Sequence, residues 1–444
     1  MPMGLSGLEI YKLLPKTNCR KCGFPTCLAF AMALAKKQVD LSKCPDITEQ
    51  IREKLQEASL PPIRLVKIGP TDNPINIGKE TVMFRHEEKF YHPTAIGFII
   101  DDDIGDIELK NKLLEIRKLT FERVGQVIKP DLIAVRQKKD VANLIAKLKI
   151  IFEFSNLGLV LIAKDAVSVK KALQLYADKR PLVYCANQNS IEEIADLAKE
   201  FKIAVVVNST DIEGLQSLVQ KVLAKGLSDI VLSIEPSSIA KKIEDFTFLR
   251  RLALKQNKRE FGFPLLSIVE NKDVFIQLLE AGVGIAKYAS IVLIDNIESW
   301  QILALLTLRQ NIYTDPQKPL QVEPKVYSVG QTSSNSPVLV TTNFSLTYYT
   351  VLGEVEASRI PSFIISVDTE GMSVLTAWAA EKFTPESISV TLDKLKVKDL
   401  VSHNRLIIPG YVAVMSGELE EKSGWNVLVG PKEASGIPSF LKKI

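Results

Sequence analysis

The sequence predicts an α/β protein in which a small cysteine-rich module precedes a central (β/α)8 barrel of the TIM type and a smaller C-terminal α/β domain. Four of the five cysteines fall within the first 57 residues, and eight short apolar runs alternate with amphipathic stretches between residues 95 and 315. A similar alternation resumes between residues 326 and 444. We therefore expect a module at 1–57, a connector at 58–94, a barrel at 95–315 and a final domain at 326–444.

Size and charge narrow the class of protein. The chain has 444 residues and a formal net charge of +4. This length suffices for several domains with proper cores, and the near-neutral charge gives no indication of nucleic-acid binding. No apolar run reaches the length of a membrane span and the first residues lack a signal-peptide pattern, so a cytoplasmic protein is expected. The isolated cysteine, Cys185, lies in an apolar run and is expected to be a core residue.

Four cysteines at short spacings form the first motif. Two residues separate Cys19 from Cys22, four separate Cys22 from Cys27, and sixteen separate Cys27 from Cys44, which a proline follows. Four thiolates without histidine, followed by proline, are typical of iron–sulfur ligation, so the spacing predicts one 4Fe–4S cluster. Structural zinc and disulfides are the alternatives. An oxygen-sensitive cluster would suit an anaerobic host.

Short helices are expected around the cysteine loop. A helix is predicted at Leu5–Leu14 and another from Cys27 onward. Gly23 helps the loop to turn between the ligands, and the start of a helix stabilises a thiolate. A closing helix is predicted at Thr48–Ala58.

The connector contains two candidate strands, Ile63–Ile68 and Glu80–Arg85, set between prolines. Two of the three histidines, His86 and His92, also lie here. Neither histidine fits the spacing of the cysteines, so both are expected to be ordinary polar residues rather than metal ligands.

Eight near-continuous apolar runs predict the barrel strands. They are Ala95–Ile100, Leu132–Val135, Leu159–Ile162, Leu182–Cys185, Ala204–Val207, Ile230–Ile234, Leu265–Ile268 and Ile291–Ile294. A stretch of helical periodicity follows each run, as a closed barrel requires; a large open doubly wound sheet is the alternative. Several runs end in a polar residue: Asp101, Asn187, Asn208, Glu235, Glu270 and Asp295. We interpret these residues as helix caps or partner contacts of a scaffold rather than as a separate catalytic site.

The C-terminal domain alternates strands and helices again, which predicts a small Rossmann-like unit with a parallel sheet. Its strands are predicted at Val338–Thr341, Ser362–Val367, Leu406–Ile408 and Asn426–Val429. Ligands of such sheets bind in the loops at the carboxyl ends of the strands. These loops are rich in glycine and hydroxyl side chains, which suits a large ligand with peripheral amides or phosphate. Ordinary turns and helix caps have the same composition, so spacing alone leaves the point open.

Three stretches carry a resemblance to a known family. They are Asn18–Ala31, Gly78–Glu87 and Thr369–Val374. With the order of the three parts, they make essentially the whole chain resemble the large (gamma) subunit of the corrinoid iron–sulfur protein of the carbon monoxide dehydrogenase/acetyl-CoA synthase system. The stretch Asn18–Ala31 is highly specific.

The resemblance implies a methyl carrier of the reductive acetyl-CoA (Wood–Ljungdahl) pathway, a component of a corrinoid-dependent methyltransferase system. In that family a cob(I)amide accepts a methyl group from methyltetrahydrofolate on a separate methyltransferase and delivers it to acetyl-CoA synthase. A 4Fe–4S cluster, here on Cys19, Cys22, Cys27 and Cys44, reductively reactivates Co(II) to Co(I). A heterodimer with a small barrel subunit is also implied.

The corrinoid is expected at the strand ends of the C-terminal domain. The expected contacts are Thr341, Thr342 and Thr347 on one loop, Gly371, Met372, Ser373 and Val374 on a second, and Gly430, Ala434 and Gly436 on a third. The stretch Asp368–Gly371 lacks a histidine, and the resemblance implies a base-off corrinoid without a protein histidine ligand. We therefore expect His403 to be a surface residue rather than a cobalt ligand.

Two rival functions are compatible with the residues alone. One is a ferredoxin-like electron-transfer protein on a barrel scaffold without corrinoid. The other is an interaction scaffold that is stabilised by a structural zinc ion and has no redox role. Visible absorption separates the three, because a corrinoid, a cluster without corrinoid and zinc give different spectra.

Overall fold

The computed structural model of the chain describes residues 7–35, 38–48, 61–185, 190–235 and 238–444. The chain divides into two compact units. The first is formed by Met1–Phe121 and Ile128–Tyr313, and the second by Glu122–Val127 and Thr314–Ile444. The first unit thus contains the cysteine module, the connector and the barrel, and the second contains the C-terminal sheet.

Two short helices form the described part of the cysteine module. They are α1 (Gly7–Leu13) and α2 (Cys27–Ala35), and a 3-10 turn follows at Leu41–Lys43. Helix α1 lies close against α2, since a Cβ atom on Gly7 would stand 2.3 Å from the sulfur of Met32. The helix predicted from Cys27 is confirmed. The predicted closing helix Thr48–Ala58 lies, beyond its first residue, outside the described residues.

The predicted barrel is confirmed by eight parallel strands that close on themselves. The strands of this part of the chain are β1 (Leu65–Ile68), β2 (Ile75–Gly78), β3 (Ala95–Asp101), β4 (Phe121–Arg123), β5 (Gln126–Ile128), β6 (Leu132–Arg136), β7 (Gly158–Ala163), β8 (Leu182–Cys185), β9 (Val205–Ser209), β10 (Ile230–Ile234), β11 (Leu265–Val269) and β12 (Ala289–Ile294). The barrel order is β3, β6, β7, β8, β9, β10, β11 and β12, and β12 pairs with β3.

The barrel strands are apolar along their length because both of their faces are buried. On β3, Ile99 belongs to the cluster that fills the barrel, whereas Ile100 belongs to the layer between strands and helices. The antiparallel hairpin β1–β2 adds Val66, Ile68 and Ile77 to the interior cluster. The connector therefore supplies part of the barrel core.

Helices surround the barrel on its outer face. They are α3 (Asp106–Lys118), α4 (Val141–Phe154), α5 (Ala166–Tyr176), α6 (Ile191–Phe201), α7 (Ile212–Ala224), α8 (Ile239–Leu254), α9 (Val274–Ala286) and α10 (Ser299–Tyr313). Polar residues that follow the strands cap the N-termini of several of these helices. Asp140 accepts the backbone N–H of Asn143 at 2.8 Å, and Asp211 accepts the backbone N–H of Gly214 at 2.7 Å. None of the described helices is long and apolar enough to cross a bilayer.

The connector differs from its prediction in one strand. Strand β1 pairs with β2, and the described segment Glu80–Arg85 is not a strand. The chain leaves the hairpin at Gly78, which has φ +83° and where a Cβ atom would stand 2.1 Å from the carbonyl oxygen of Arg64. Side-chain hydrogen bonds, and not pairing with another strand, fix the residues that follow Gly78. Arg85 donates to the carbonyl of Ile312 at 3.2 Å, in the last turn of α10.

A buried ion pair ties the connector to the barrel. Glu80 lies 3.5 Å from Arg250 of α8, and both side chains are buried. Glu80 also accepts the backbone N–H of Tyr91 at 2.9 Å, and the Arg250 guanidinium lies 4.9 Å from the ring centre of Tyr288. The stretch Gly78–Glu87 therefore anchors the connector to the barrel.

We expect Glu80→Ala to lower the free energy of unfolding of the first unit by about 3–5 kcal/mol, because it leaves Arg250 buried without its carboxylate. The matched control is Asp196→Ala, which removes an exposed pair with Lys225 at 2.9 Å. That variant should lower the free energy of unfolding far less, because water screens an exposed ion pair. Denaturant unfolding followed by circular dichroism measures both, and equal losses would contradict the role given to the buried pair.

The second unit is a five-stranded sheet with helices on both faces. Its strands are β13 (Val326–Val329), β14 (Val338–Thr342), β15 (Ser362–Val367), β16 (Arg405–Ile408) and β17 (Asn426–Val429), in the order β13-β15-β14-β16-β17. Strands β14 to β17 are mutually parallel, and the edge strand β13, which was not predicted, is antiparallel to β15. Its helices are α11 (Ser345–Ser358), α12 (Val374–Ala379), α13 (Pro385–Lys394), α14 (Ser416–Ser423) and α15 (Ile437–Leu441).

The connections of this sheet create a crevice at the carboxyl end of β14. Helix α11, which follows β14, packs with Leu339 on one face of the sheet. Helices α12 and α13, which follow β15, pack with Val340 on the other face. The strand order reverses at β14, which lies between β15 and β16, so the carboxyl end of β14 is the expected ligand site of the sheet.

Candidate cofactor sites

The cysteine loop is shaped by backbone turns and one asparagine. Asn18 and Arg20 have positive φ values of 49° and 62°, and Gly23 has 84°. The side-chain oxygen of Asn18 accepts the backbone N–H of Cys27 at 2.8 Å, and the Asn18 N–H lies 3.4 Å from the Cys27 sulfur. The loop therefore folds back on the first residue of α2.

The four cysteines differ in burial. Cys27 and Cys44 are buried in a small apolar cluster with Phe30, whereas Cys19 and Cys22 are half-buried. Burial raises the pKa of the Cys44 thiol, and the nearby Cys22 and Cys19 thiols add to that effect. All four side chains are therefore brought to one end of the module.

Polar groups line the exposed side of this loop. The Asp46 carboxylate accepts hydrogen bonds from Cys19 and Lys21, and these two contacts lower the pKa of Asp46. The Lys21 ammonium lies 3.3 Å from the carboxylate. Cys19 is thus held beside a carboxylate at the protein surface.

The donor set fits an iron–sulfur cluster. Cys22, Cys27 and Cys44 share one small apolar cluster, Cys19 and Cys22 interact with Cys44, and a proline follows Cys44 in the chain. Within the described ranges no three or more His, Cys, Asp and Glu side chains are grouped closely enough for a single metal ion. In a cluster each thiolate binds a different iron atom, so the four sulfurs need not meet at one point.

A second candidate site lies at the carboxyl edge of the C-terminal sheet. The side-chain oxygens of Thr341, Thr342 and Ser366 are buried there and have no hydrogen-bond partner among the described residues. Thr341 and Ser366 face each other in the register of β14 and β15. Buried hydroxyls without a partner are costly, so these groups point to a polar ligand at this edge.

Asn343 organises the loops above these hydroxyls. Its side chain is 0% exposed. The Oδ1 atom accepts the backbone N–H groups of Thr369 and Gly371, at 2.9 and 3.0 Å, and the Thr369 hydroxyl. Its Nδ2 atom donates to Gln321 at 3.2 Å and to Asp368 at 3.1 Å. One buried amide therefore joins the loops after β14 and β15.

The loops after β16 and β17 also lie against each other. Gly410 donates its N–H to the carbonyl of Pro431 at 3.0 Å, and a Cβ atom on Gly410 would stand 2.5 Å from the Gly430 carbonyl oxygen. The Tyr411 hydroxyl donates to the Glu433 carboxylate. Glycine is required where these two loops touch, so they present backbone rather than side chains to the edge.

Exposed apolar side chains stand in the loops and helices that directly follow the strands of this sheet. They are Leu346, Leu375, Trp378, Tyr411 and Val414, with Val429 at the end of β17. Large apolar side chains gathered at one edge of a domain favour a binding surface. The edge therefore offers apolar surface around buried hydroxyls.

The structure brings most of the predicted corrinoid contacts to this edge. Thr341 and Thr342 end β14, Gly371, Met372, Ser373 and Val374 connect β15 to α12, and Gly430, Ala434 and Gly436 connect β17 to α15. Gly371 and Gly430 are buried, whereas Met372, Ser373, Val374, Ala434 and Gly436 are half-buried. Thr347 is half-buried in the first turn of α11.

Sequence reasoning missed Asn343 and Ser366 as site residues. Both lie at the ends of predicted strands. The burial of an amide with five partners depends on three separate segments, and no local pattern indicates it. The unpartnered hydroxyl of Ser366 likewise becomes visible only from its pairing with Thr341.

His403 lies at the opposite edge of the sheet. It is half-buried two residues before the start of β16, and its Nε2 atom lies 3.0 Å from the carbonyl oxygen of Ser336. Its Nδ1 atom accepts the backbone N–H of Arg405 at 3.1 Å. These contacts place His403 away from the loops at the carboxyl edge.

Polar residues at the carboxyl end of the barrel pair with one another. Arg136 donates to Asp101 at 3.1 Å and also contacts Glu270. Asn208 donates to Glu235 at 2.7 Å. The interpretation of the barrel as a scaffold stays a prediction, and the predicted strand-end residue Asn187 lies outside the described residues.

Comparison with known proteins gives full-length similarities. A profile of the family described as CO dehydrogenase/acetyl-CoA synthase delta subunit matches residues 65–441, and a profile of an Fe–S cluster family matches residues 14–45. The corrinoid/iron-sulfur protein large subunit of Moorella thermoacetica is 44% identical over 441 residues, 99% of this chain and 99% of that protein. The acetyl-CoA decarbonylase/synthase complex subunit gamma of Methanothermobacter thermautotrophicus is 35% identical over 456 residues, 100% of this chain and 99% of that protein.

The solved structure of 7,8-dihydropteroate synthase from Vibrio fischeri ES114 aligns with 56% of this chain and 99% of its own, with a TM-score of 0.41 and 11% identity.

Proposed function

This chain belongs to the family of large (gamma) subunits of the corrinoid iron–sulfur protein in the CO dehydrogenase/acetyl-CoA synthase system, and we propose that it is the methyl carrier of that system. When bound, the corrinoid would supply a cobalt ion that accepts the methyl group of methyltetrahydrofolate and passes it to acetyl-CoA synthase, and a 4Fe–4S cluster would supply the electron that restores oxidised cobalt. The single observation that carries the proposal is the edge of buried, unpartnered hydroxyls and exposed apolar side chains in the second unit.

That edge matches the surface of a corrin. A corrin ring has apolar faces and carries neutral amide groups around its rim. The exposed side chains of Trp378 and Leu375 would cover ring surface, and Thr341, Thr342 and Ser366 would pair with amides. Neutral donors and acceptors serve this purpose better than charges, because the rim amides carry none.

We propose a base-off corrinoid without a protein histidine ligand. The loop Asp368–Gly371 that follows β15 contains no histidine, and His403 occupies the other edge of the sheet. A cobalt ion with few axial donors is easier to keep in its electron-rich Co(I) state. The chain would thus favour the reduced cofactor by leaving out a ligand.

The cluster would be held by Cys19, Cys22, Cys27 and Cys44. The buried pair Cys27 and Cys44 would fix it to the apolar core of the module, and the half-buried pair Cys19 and Cys22 would leave one side near solvent. An electron donor could reach that side without rearrangement of the helices.

We further propose three protein partners. A separately encoded small subunit would form the heterodimer, as the name of the Moorella thermoacetica relative indicates for that protein. The methyltetrahydrofolate methyltransferase and acetyl-CoA synthase would bind one at a time at the exposed carboxyl edge of the second unit. Both must approach the same cobalt ion, so they cannot bind there together.

Transfer of a labelled methyl group tests the proposal. The reduced protein is mixed under anaerobic conditions with methyl-labelled methyltetrahydrofolate and the methyltransferase, re-isolated, and added to acetyl-CoA synthase together with carbon monoxide and coenzyme A. We expect label first on the protein and then in acetyl-CoA. Label that remains in the folate would contradict the methyl-carrier function.

A further inference from the structure

The segment before the C-terminal sheet is bound to the carboxyl edge. Residues 314–325 belong to the second unit. Val322 donates its N–H to the carbonyl of Asn343 at 2.9 Å, and Ser345 donates to the carbonyl of Leu320 at 2.9 Å. Gln321 pairs with Phe344 in an antiparallel bridge. We call Pro319–Val322 the strap.

The strap touches the turn at Gly371. A Cβ atom on Gly371 would stand 2.7 Å from Cγ of Gln321 and 3.0 Å from Cβ of Pro319. The side-chain oxygen of Gln321 also accepts the Asn343 amide at 3.2 Å. The strap therefore reaches the loop after β15 directly and through Asn343.

We propose that the strap is a part of the corrinoid site, in which Gln321 orients the amide of Asn343 and Asn343 in turn holds the turn Thr369–Gly371 in its binding shape. This inference rests on the proposed function. Gln321 and Asn343 are positioning residues, because they act on the cofactor through the turn.

The chemistry of the amide explains why Asn343 suits this position. An amide accepts with its oxygen and donates with its nitrogen, so it serves the N–H groups of Thr369 and Gly371 on one side and the oxygens of Gln321 and Asp368 on the other. If the oxygen of Gln321 is lost, the Asn343 amide nitrogen keeps Asp368 as its one hydrogen-bond acceptor among the residues that the structure describes. Its orientation is then less well defined, and so is the turn.

The full-length chain with bound corrinoid provides the test. Gln321→Met keeps the length of the side chain and removes the acceptor, whereas Gln321→Glu keeps an acceptor oxygen. Gln331→Met is the matched control; it follows β13, at the amino edge of the sheet. The measurements are the rate of corrinoid loss into a scavenger and the hydrogen exchange of the Thr369 and Gly371 amides.

We expect Gln321→Met to accelerate both corrinoid loss and amide exchange by about fivefold to tenfold, the effect of one hydrogen bond. Gln321→Glu and Gln331→Met should stay within about twofold of the wild-type protein. A Gln321→Met protein that behaves as the wild type would contradict the role of the strap but not the proposed function. A Gln321→Glu protein that loses corrinoid as fast as Gln321→Met would have the same consequence. A wild-type chain that binds no corrinoid overturns the proposed function, and the inference with it.

Discussion

Replacement of Cys44 by alanine should remove the cluster and abolish reductive reactivation, while the first turnovers of methyl transfer continue. Exchange of a methyl group between two carriers needs no net electron, and only cobalt that has been oxidised needs one. The loss of one of four thiolates should release the whole cluster, so the iron content should fall from about four per chain to nearly none. Iron analysis and a methyl-transfer time course after chemical reduction measure the two effects.

Cys185→Ala is the matched control, since this cysteine lies in barrel strand β8, far along the chain from the cysteine module. It should keep its iron and its reactivation. A Cys44→Ala protein with about four irons would remove Cys44 from the ligand set. Failure of that variant from the first turnover would mean that the cluster has another function.

A second large effect is expected at Gly371. This residue has φ +75°, and a Cβ atom there would collide with the strap at Gln321. Gly371→Val should therefore displace the turn and weaken corrinoid binding by about tenfold or more, which corresponds to at least about 1.4 kcal/mol. Cobalt content after gel filtration and a binding titration of the cobalt-free protein measure the loss.

Gly353→Ala serves as the control for that substitution. Gly353 lies inside helix α11, and a Cβ atom there would meet nothing within 4 Å. Alanine should stabilise the helix by about 0.5–1 kcal/mol and leave corrinoid binding unchanged. Full corrinoid occupancy in Gly371→Val would show that the turn at Gly371 does not contact the cofactor.

The barrel could be predicted because its signal is repeated and local. A parallel strand that is covered on both faces must be apolar along its length, and the run Ile230–Ile234 shows this pattern without a polar interruption except Ser233. Eight such runs are compatible with a closed barrel and with a large open sheet, and the pairing of β12 with β3 in the structure decides for the barrel. The prediction of a strand at Glu80–Arg85 was wrong, because a buried ion pair and not backbone pairing fixes that segment.

The two candidate sites differ in how far the sequence reveals them. Cys19, Cys22 and Cys27 lie within nine residues, so their spacing alone indicates ligation. The corrinoid edge is assembled from loops that lie far apart in the chain, and Asn343 gains its partners only when Gln321 and Gly371 meet it in the fold. Propensity and periodicity do not report such tertiary hydrogen bonds, so the strap, which lies between the predicted barrel and the predicted final domain, was not predicted to belong to the site.

Metal analysis of the anaerobically purified protein tests the central claim most directly. If the chain is a corrinoid iron–sulfur methyl carrier, it should contain about four irons and about one cobalt. Its visible spectrum should show corrinoid bands above a broad cluster absorption. A protein with about one zinc and neither iron nor cobalt would contradict the account.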